Sequence, residues 1–351
     1  MSEAQLSLEL PPGPYCEGCA LVGPCGRMGT ADACQPLFGD PRYGGLNVLH
    51  PDRHDLAAYF AEVRGPGFED VCVKPDPAVP EFPLRTPRVY PLASLRGHLP
   101  DSFYAIGADK AIIEPGLVLG ADELREVLDI WGNQKLALML FGKDPHMEEL
   151  WRRRHQLVPE IAAADYDFVA PPSFSARSNH PPPEYLFNAK RSLIFFEMLQ
   201  EHGVPSAPRL AWLRDHDVRR SARWCNSQQS LQLVALDLAI KFHPEWRRQL
   251  DLLRLFDQIT DNRLTFLIHG PQALPRLTEL FAMLGPRLRL TGTRAIARHH
   301  RSPADFVAQV KSEEEIARAT LVHAGPKAVP ASSATLQRLK ESRGIETARA
   351  A

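Results

Sequence analysis

From about residue 109 onward, short apolar runs alternate with amphipathic stretches of helical length. Strands of a parallel sheet are buried on both faces and are joined by crossover helices, so their sequences are continuously apolar. The alternation therefore predicts seven parallel strands separated by six helices. The predicted strands lie at residues 111–115, 136–141, 167–172, 209–213, 231–238, 264–270 and 288–292.

The segment VCVK at 71–74 supplies an eighth predicted strand. Eight parallel strands close a TIM-type barrel, so the sequence predicts an α/β fold with a (β/α)8 barrel over residues 71–301. An open doubly wound sheet is the alternative, and it is disfavoured because no G-x-G-x-x-G turn follows any predicted strand. Residues 302–351 are predicted to form a helical and flexible tail.

Four of the six cysteines lie within the first 34 residues. Thiolates are the ligands that zinc and iron–sulfur clusters use, and four of them complete a closed coordination shell. The intervening glycines and prolines disfavour regular structure and allow backbone N–H groups to turn toward sulfur. We therefore expect an irregular metal-binding lobe over residues 1–70, with Cys16, Cys19, Cys25 and Cys34 as its ligands.

The cysteine spacing favours iron over zinc. One C-x2-C pair is followed by spacers of five and eight residues, whereas structural zinc sites usually combine two such pairs. A 4Fe-4S cluster takes its ligands from spread loops with irregular spacing. We expect a 4Fe-4S cluster, with zinc as the first alternative and a redox-active or disulfide role as the second.

The composition, with 44% hydrophobic and 24% charged residues and a formal net charge of -1, is typical of a soluble globular protein. The longest apolar runs are far shorter than the roughly 20 residues of a membrane span. The N-terminus has no cationic segment followed by an apolar run, so we expect no membrane association and a cytoplasmic location. Near-neutral charge means that nucleic-acid binding would require a local basic patch.

Catalytic residues of TIM barrels lie at the carboxyl ends of the strands. Glu114, Asp237 and His269 follow or end predicted strands, and carboxylates and imidazole suit either acid–base chemistry or divalent-metal binding. The alternative for each residue is a helix cap or an ion pair with an arginine. The candidate catalytic residues are Glu114, Lys143, Asp237, Lys241 and His269.

The longest break between a predicted strand and its helix, at 173–192, is a candidate active-site loop. The segment 287–301 is predicted to place Arg287, Arg289 and further basic residues around the last strand end, where TIM barrels often bind phosphate. This segment could bind an anionic substrate or a nucleic-acid backbone; a solvated basic loop and helix start without a ligand is an equal alternative. The candidate substrate-binding residues are Ser173, Ser175, Arg177, Asn179, Trp212, Thr293 and Arg294.

The segments DFVAPPSFS, NAKRSLIFFEMLQEHGVPSAPRLAW and LQLVALDL, within residues 165–270, resemble a phage and bacterial family of TIM-barrel-like proteins with an N-terminal cysteine cluster. That family has a domain of unknown function, so the resemblance implies the fold and no reaction. A more distant likeness is to the tRNA-guanine transglycosylase barrels, which exchange a base using aspartates at strand ends. Their zinc cysteines follow the barrel strands, so the likeness assigns no role to Asp237.

Two hypotheses follow for the function. The first is an iron–sulfur enzyme whose barrel acts on an anionic nucleotide or nucleic-acid substrate. The second is a non-catalytic component that binds nucleic acid or a protein partner in a multi-subunit phage-defence or DNA-processing assembly, with a structural zinc or iron–sulfur site. A radical S-adenosylmethionine enzyme is disfavoured, because no C-x3-C-x2-C motif follows a predicted strand.

Overall fold

The computed structural model describes nine ranges of the chain, within residues 61 to 291. The cysteines of the predicted metal-binding lobe and the predicted tail lie outside these ranges, so both remain predictions. None of the described helices has the length and apolar character that a membrane span requires. The ranges are 61–74, 79–83, 85–86, 103–114, 117–128, 134–175, 182–239, 243–270 and 274–291.

The described residues form short strands that alternate with helices. The strands are β1 (Arg85–Thr86), β2 (Phe103–Gly107), β3 (Ile112–Glu114), β4 (Leu117–Val118), β5 (Lys135–Met139), β6 (Phe168–Ala170), β7 (Arg209–Leu210), β8 (Leu233–Asp237), β9 (Thr265–His269) and β10 (Leu288–Thr291). The helices are α1 (Ala108–Ala111), α2 (Ala121–Leu128), α3 (Asp144–Arg152), α4 (Arg154–Ala163), α5 (Pro182–Glu201), α6 (Asp215–Ser227), α7 (His243–Ile259) and α8 (Leu274–Leu284), and a short 3-10 helix spans Gly285–Arg287.

Two parallel sheets contain all the described strands except the β3–β4 hairpin. One sheet has the order β1-β10-β9-β8-β7 and the other the order β2-β5-β6. A parallel bridge joins Val169 of β6 to Ser206, just before β7, and the Val169 N–H donates to the Pro205 carbonyl at 2.9 Å. The chain therefore has an α/β fold in which the neighbouring strands of each sheet are parallel. Strands β5–β6 and β7–β10 are adjacent in chain order, and the first strand, β1, pairs with the last, β10.

Successive residues of each strand point to opposite sides of the sheet, as the period of a strand requires. Side chains from both sheets form one apolar cluster, which includes Ala105, Met139, Ala170, Ala235 and Leu267. The residues between them pack instead against the helices, in two separate clusters. The shared cluster shows that the two parallel sheets face each other across a common apolar interior.

The strands predicted from residue 136 onward are confirmed. Strands β5 to β10 overlap the six predicted runs, and described helices separate them as expected. These runs contain consecutive buried residues, such as the four from Leu233 to Leu236 in β8. Burial on both faces is what makes a parallel strand visible in sequence.

The predicted strand at 71–74 is wrong, because these residues are irregular and lie against two helices. The Trp224 indole N–H donates to the Val71 carbonyl at 2.8 Å, and the Val73 N–H donates to Gln228 at 2.9 Å. On α5, the buried Lys190 ammonium binds the Asp70 carboxylate. The apolar residues of this segment therefore cover the outside of the sheet, and β1 is the first described strand.

The run at 111–115 was predicted as a parallel strand, and this is also wrong. Residues Ile112–Glu114 form β3, which pairs antiparallel with β4 in a small hairpin. The parallel strand at this place is β2, which pairs with β5. A single helical turn, α1, separates β2 from β3, so two apolar runs lie close together and the first enters the sheet.

Candidate active site at the carboxyl ends of the strands

Asp237 and His269 end the neighbouring strands β8 and β9 and are register partners. The Asp237 carboxylate accepts a hydrogen bond from Arg209 Nη2 at 3.0 Å through Oδ2 and one from the Ala239 N–H at 2.9 Å through Oδ1. Arg209 begins β7, the next strand, and its guanidinium is buried. Three adjacent strands therefore place a cation, a carboxylate and an imidazole together.

Phe141 connects these residues to the other sheet. It follows β5, and its ring centroid lies 4.4 Å from the Arg209 guanidinium carbon and 4.6 Å from the centroid of the His269 ring. An aromatic face at this distance stabilises a guanidinium that has lost its hydration. We call Phe141, Arg209, Asp237 and His269 the strand-end site.

Asp237 is held in its charged form. Burial, the largest influence, raises the pKa of its carboxyl group, but the charges of Arg209 and His269 and the Ala239 N–H outweigh it, so the pKa lies below its ordinary value. Its side chain is 28% exposed, which leaves the carboxylate accessible. At neutral pH an accessible ionised carboxylate can act as a general base or a nucleophile.

Arg209 has hydrogen-bonding capacity beyond its contact with Asp237. Burial lowers the pKa of its guanidinium, and Asp237 opposes that effect. Its Nη1 atom is buried and has no hydrogen-bond partner among the described residues. Because a buried polar atom without a partner is costly, an acceptor oxygen placed beside this nitrogen would be favourable.

A network of hydrogen bonds fixes the segment that follows β6. The Ser175 hydroxyl donates to Asp144 at 2.5 Å, Asn188 donates to the Ser175 carbonyl at 2.7 Å, and the Ser173 N–H donates to the Leu140 carbonyl at 3.2 Å. Lys143 precedes α3 and is exposed. The structure thus places Ser173 and Ser175 at the strand ends, with the Ser175 hydroxyl bound to a carboxylate.

Other predicted site residues lie elsewhere or outside the described residues. Trp212 is buried in the core, with its ring centroid 4.6 Å from that of Phe256 on α7, so its surroundings are those of a packing residue. Glu114 belongs to the β3–β4 hairpin and does not end a parallel strand. Arg177, Asn179, Lys241, Thr293, Arg294 and the four cysteines of the predicted lobe lie outside the described residues.

Arg287 and Arg289 were predicted to surround the end of the last strand, and the structure corrects this. Arg287 lies before β10 and donates to both oxygens of Asp257, at 2.5 and 2.7 Å. Arg289 donates to the Pro286 carbonyl at 2.5 Å. Both arginines bind groups at the amino end of β10, so the basic character of 287–301 at the strand end depends on residues outside the described ranges.

Arg209 and Phe141 were not predicted as parts of the site. Arg209 begins the short apolar run RLAWL, which is typical of a buried strand, and Phe141 ends the apolar run LALMLF. A cation at the start of an apolar run was the available signal for Arg209, since arginine is rarely fully buried without a partner. Within the described residues, no group of three or more His, Cys, Asp or Glu side chains is arranged to hold a metal ion.

Gly270 controls how closely the segments after β8 and β9 approach each other. It has a φ of 110°, and a Cβ at this position would lie 2.4 Å from the Ala239 backbone nitrogen. The Leu238 N–H also donates to the His269 carbonyl at 2.7 Å. Since Ala239 binds Asp237, this approach positions the carboxylate.

The variant Gly270→Ala is expected to lower the free energy of unfolding by about 2 kcal/mol or more, because backbone strain adds to the overlap with Ala239. Urea unfolding gives the measurement. Gly203→Ala is the matched control, since Gly203 has a φ of 73° and its Cβ would meet nothing within 4 Å; strain alone should cost about 1 kcal/mol there. Equal losses in the two variants would show that the approach to Ala239 is unimportant.

No family model matches the chain, and no curated protein matches it. Among solved structures, the chain is similar to a variant of mandelate oxidase with 4-Br-2-hydroxy-methylphenylacetate. The two chains share 13% sequence identity with a TM-score of 0.40, over 77% of this chain and 86% of the other. A likeness at this level does not bear on the chemistry of the strand-end site.

Proposed function

We propose that the eight parallel strands close into a (β/α)8 barrel and that the protein is an enzyme whose strand-end site acts on an anionic substrate. Three features support the closed barrel: the first strand, β1, pairs with the last, β10, Val169 and Ser206 bridge the sheets at one side, and one apolar cluster fills the space between them. In a barrel of this kind, the strand-end site occupies the face at which catalysis takes place.

The observation that carries the enzymatic proposal is the environment of Asp237. Its carboxylate is kept ionised by a buried arginine and a neighbouring histidine while it stays accessible. A carboxylate that served only to neutralise Arg209 would not need to be accessible. Asp237 therefore acts as the base or nucleophile, and His269, on the adjacent strand, is positioned to transfer a proton.

The charges of the site support an anionic substrate. Arg209 and Asp237 neutralise each other, and the Nη1 of Arg209, which has no partner among the described residues, is a charged donor suited to an anionic oxygen. The sequence places further basic residues directly after β10. A nucleotide or nucleic-acid phosphate is the substrate group we propose.

Turnover tests this function directly. The purified protein is incubated with nucleoside 5′-phosphates and with short DNA and RNA oligonucleotides, and products are followed by mass spectrometry. Loss of turnover in Asp237→Asn with retention of the fold supports the enzyme. Turnover unchanged by that substitution would remove Asp237 from the mechanism, and no turnover in the wild-type protein would favour the non-catalytic binding component instead.

We also propose that Cys16, Cys19, Cys25 and Cys34 bind a 4Fe-4S cluster, a proposal supported by their spacing. Protein purified without oxygen is expected to be brown and to contain about four iron atoms per chain. A Cys16→Ser/Cys19→Ser variant should lose the iron and still unfold cooperatively, because the sheets have their own apolar core. The single cysteine variant Cys225→Ser serves as the control, since Cys225 is buried against the strands. One zinc and no iron would contradict the proposal.

A further inference from the structure

A row of four polar side chains crosses four neighbouring strands at their carboxyl ends. Thr86 of β1 pairs with Thr291 of β10, Thr291 pairs with His269, and His269 pairs with Asp237. Register partners on parallel strands project to the same face of the sheet. Leu267, two residues before His269, belongs to the interior cluster, so the whole row faces the interior.

The two threonine hydroxyls of this row have no hydrogen-bond partner among the described residues. Thr86 is 1% exposed and Thr291 is 3% exposed, and the Oγ1 atom of each is buried without a partner. Thr260 shows the usual arrangement, since its buried hydroxyl contacts the Phe256 and Asp257 carbonyl oxygens at 3.0 and 3.2 Å. The two unpartnered hydroxyls lie on adjacent strands, so one ligand could satisfy the hydrogen-bonding capacity of both.

The neighbours of the hydroxyls indicate what kind of ligand this is. Each hydroxyl can donate to an acceptor oxygen, and the imidazole of His269 lies next along the row. Arg209 and Asp237 neutralise each other, so the ion pair leaves no excess negative charge that would repel an anion. An anion with several acceptor oxygens would accept a hydrogen bond from each of the two hydroxyls.

We propose that Thr86 and Thr291, beside His269, form a subsite for the phosphate group of the substrate. The inference rests on the proposed function, since it names the anionic group that the same site binds. The phosphate is held on the β10 and β1 side, and the reacting part of the substrate lies toward Asp237. Thr86 and Thr291 are thus binding residues that select substrates with a phosphate.

Stability of the free protein is the first test. Replacement of an unpartnered buried hydroxyl by a methyl group of the same shape removes a desolvated polar atom, so Thr86→Val and Thr291→Val should keep the Tm or raise it by about 2–4 °C. Thr260→Val loses satisfied hydrogen bonds and should lower the Tm. If all three variants lowered the Tm alike, the hydroxyls would be bonded within the protein and the subsite would be rejected.

Inorganic phosphate is the second test, with potassium chloride at equal ionic strength as the reference. Phosphate should raise the Tm of the wild-type protein, because a ligand that binds only the folded state stabilises it. The shift should disappear in Thr86→Val/Thr291→Val and persist in Thr86→Ser/Thr291→Ser, which keeps both hydroxyls, and in Thr260→Val. A wild-type protein without a shift, or a double valine variant with the full shift, would overturn the proposal.

Asp237→Asn separates this inference from the proposed function. The substitution removes the base or nucleophile and leaves both threonines in place, so the phosphate shift should remain while turnover is lost. Full turnover in Asp237→Asn together with a threonine-dependent shift would reject the enzymatic role of Asp237 and retain the subsite. Lost turnover with a threonine-independent shift would retain the role and reject the subsite.

Discussion

Asp237→Asn is expected to lower kcat about 10²–10⁴-fold, the contribution typical of a positioned base. The amide is nearly the same shape as the carboxylate but can neither take up a proton nor attack an electrophile. In the wild-type protein Asp237 can act as a base or as a nucleophile at neutral pH, because Arg209 and His269 keep its carboxyl group ionised. The measurement is product formation per enzyme by mass spectrometry under substrate saturation, with circular dichroism to verify the fold.

Asp257→Asn provides the matched control. Asp257 is likewise an aspartate paired with an arginine, since Arg287 donates to both of its oxygens, but it is buried and lies on α7, away from the carboxyl ends of the strands. This variant should lose stability, because Arg287 loses its partner, while kcat and KM stay in the wild-type range. Equal losses of turnover in the two variants would attribute the effect to a damaged fold, and Asp237 would lose its proposed role.

The sequence predicts the fold best where each strand is a continuous apolar run followed by a long helix. LVALD and TFLIH are buried along most of their length, and each is separated from the next strand by a crossover helix. Such a pattern allows few structures other than a parallel α/β arrangement. This is why β5 to β10 agree with the predicted runs.

The first strands could not be predicted in the same way. β1 has only two residues, arginine and threonine, so it has no apolar run to detect, and its place in the sheet depends on pairing with β10. β2 and β3 are two apolar segments separated by one helical turn. Which of them joins the sheet is decided by tertiary packing, and sequence periodicity cannot distinguish them.

The composition of the site is predictable only in part. The structure brings Asp237 and His269 together because both end strands that are neighbours in the sheet, as their positions after apolar runs suggested; their catalytic role remains a prediction. The cation at the start of an apolar run marked Arg209 as unusual, but a strand buried on both faces does not show which of its residues face the interior. Thr86 lies on a strand that the sequence does not reveal.

Arg209→Met is expected to lower the free energy of unfolding by about 3 kcal/mol, near the lower end of the cost of breaking a buried ion pair, because Asp237 retains 28% exposure. Methionine fills a similar volume beside Phe141 but leaves the carboxylate without its main partner. Burial then raises the pKa of Asp237 relative to the wild-type protein, since the opposing charge of Arg209 is gone. Urea unfolding at neutral pH measures the loss.

The pH dependence of that loss identifies its cause. In the wild-type protein the lowered pKa of Asp237 contributes stability above the ordinary carboxyl pKa of about 4, and this contribution is lost as the pH falls through the folded-state value. In Arg209→Met the raised pKa allows Asp237 to be protonated at a higher pH, which relieves the penalty, so the deficit against wild type should shrink as the pH is lowered from 7 toward about 5. The double variant Arg209→Met/Asp237→Asn should recover most of the lost stability and should show no turnover. A stability deficit that is constant with pH, or that persists in the double variant, would show that Arg209 stabilises the protein through packing. The ionisation of Asp237 would then not depend on the charge of Arg209.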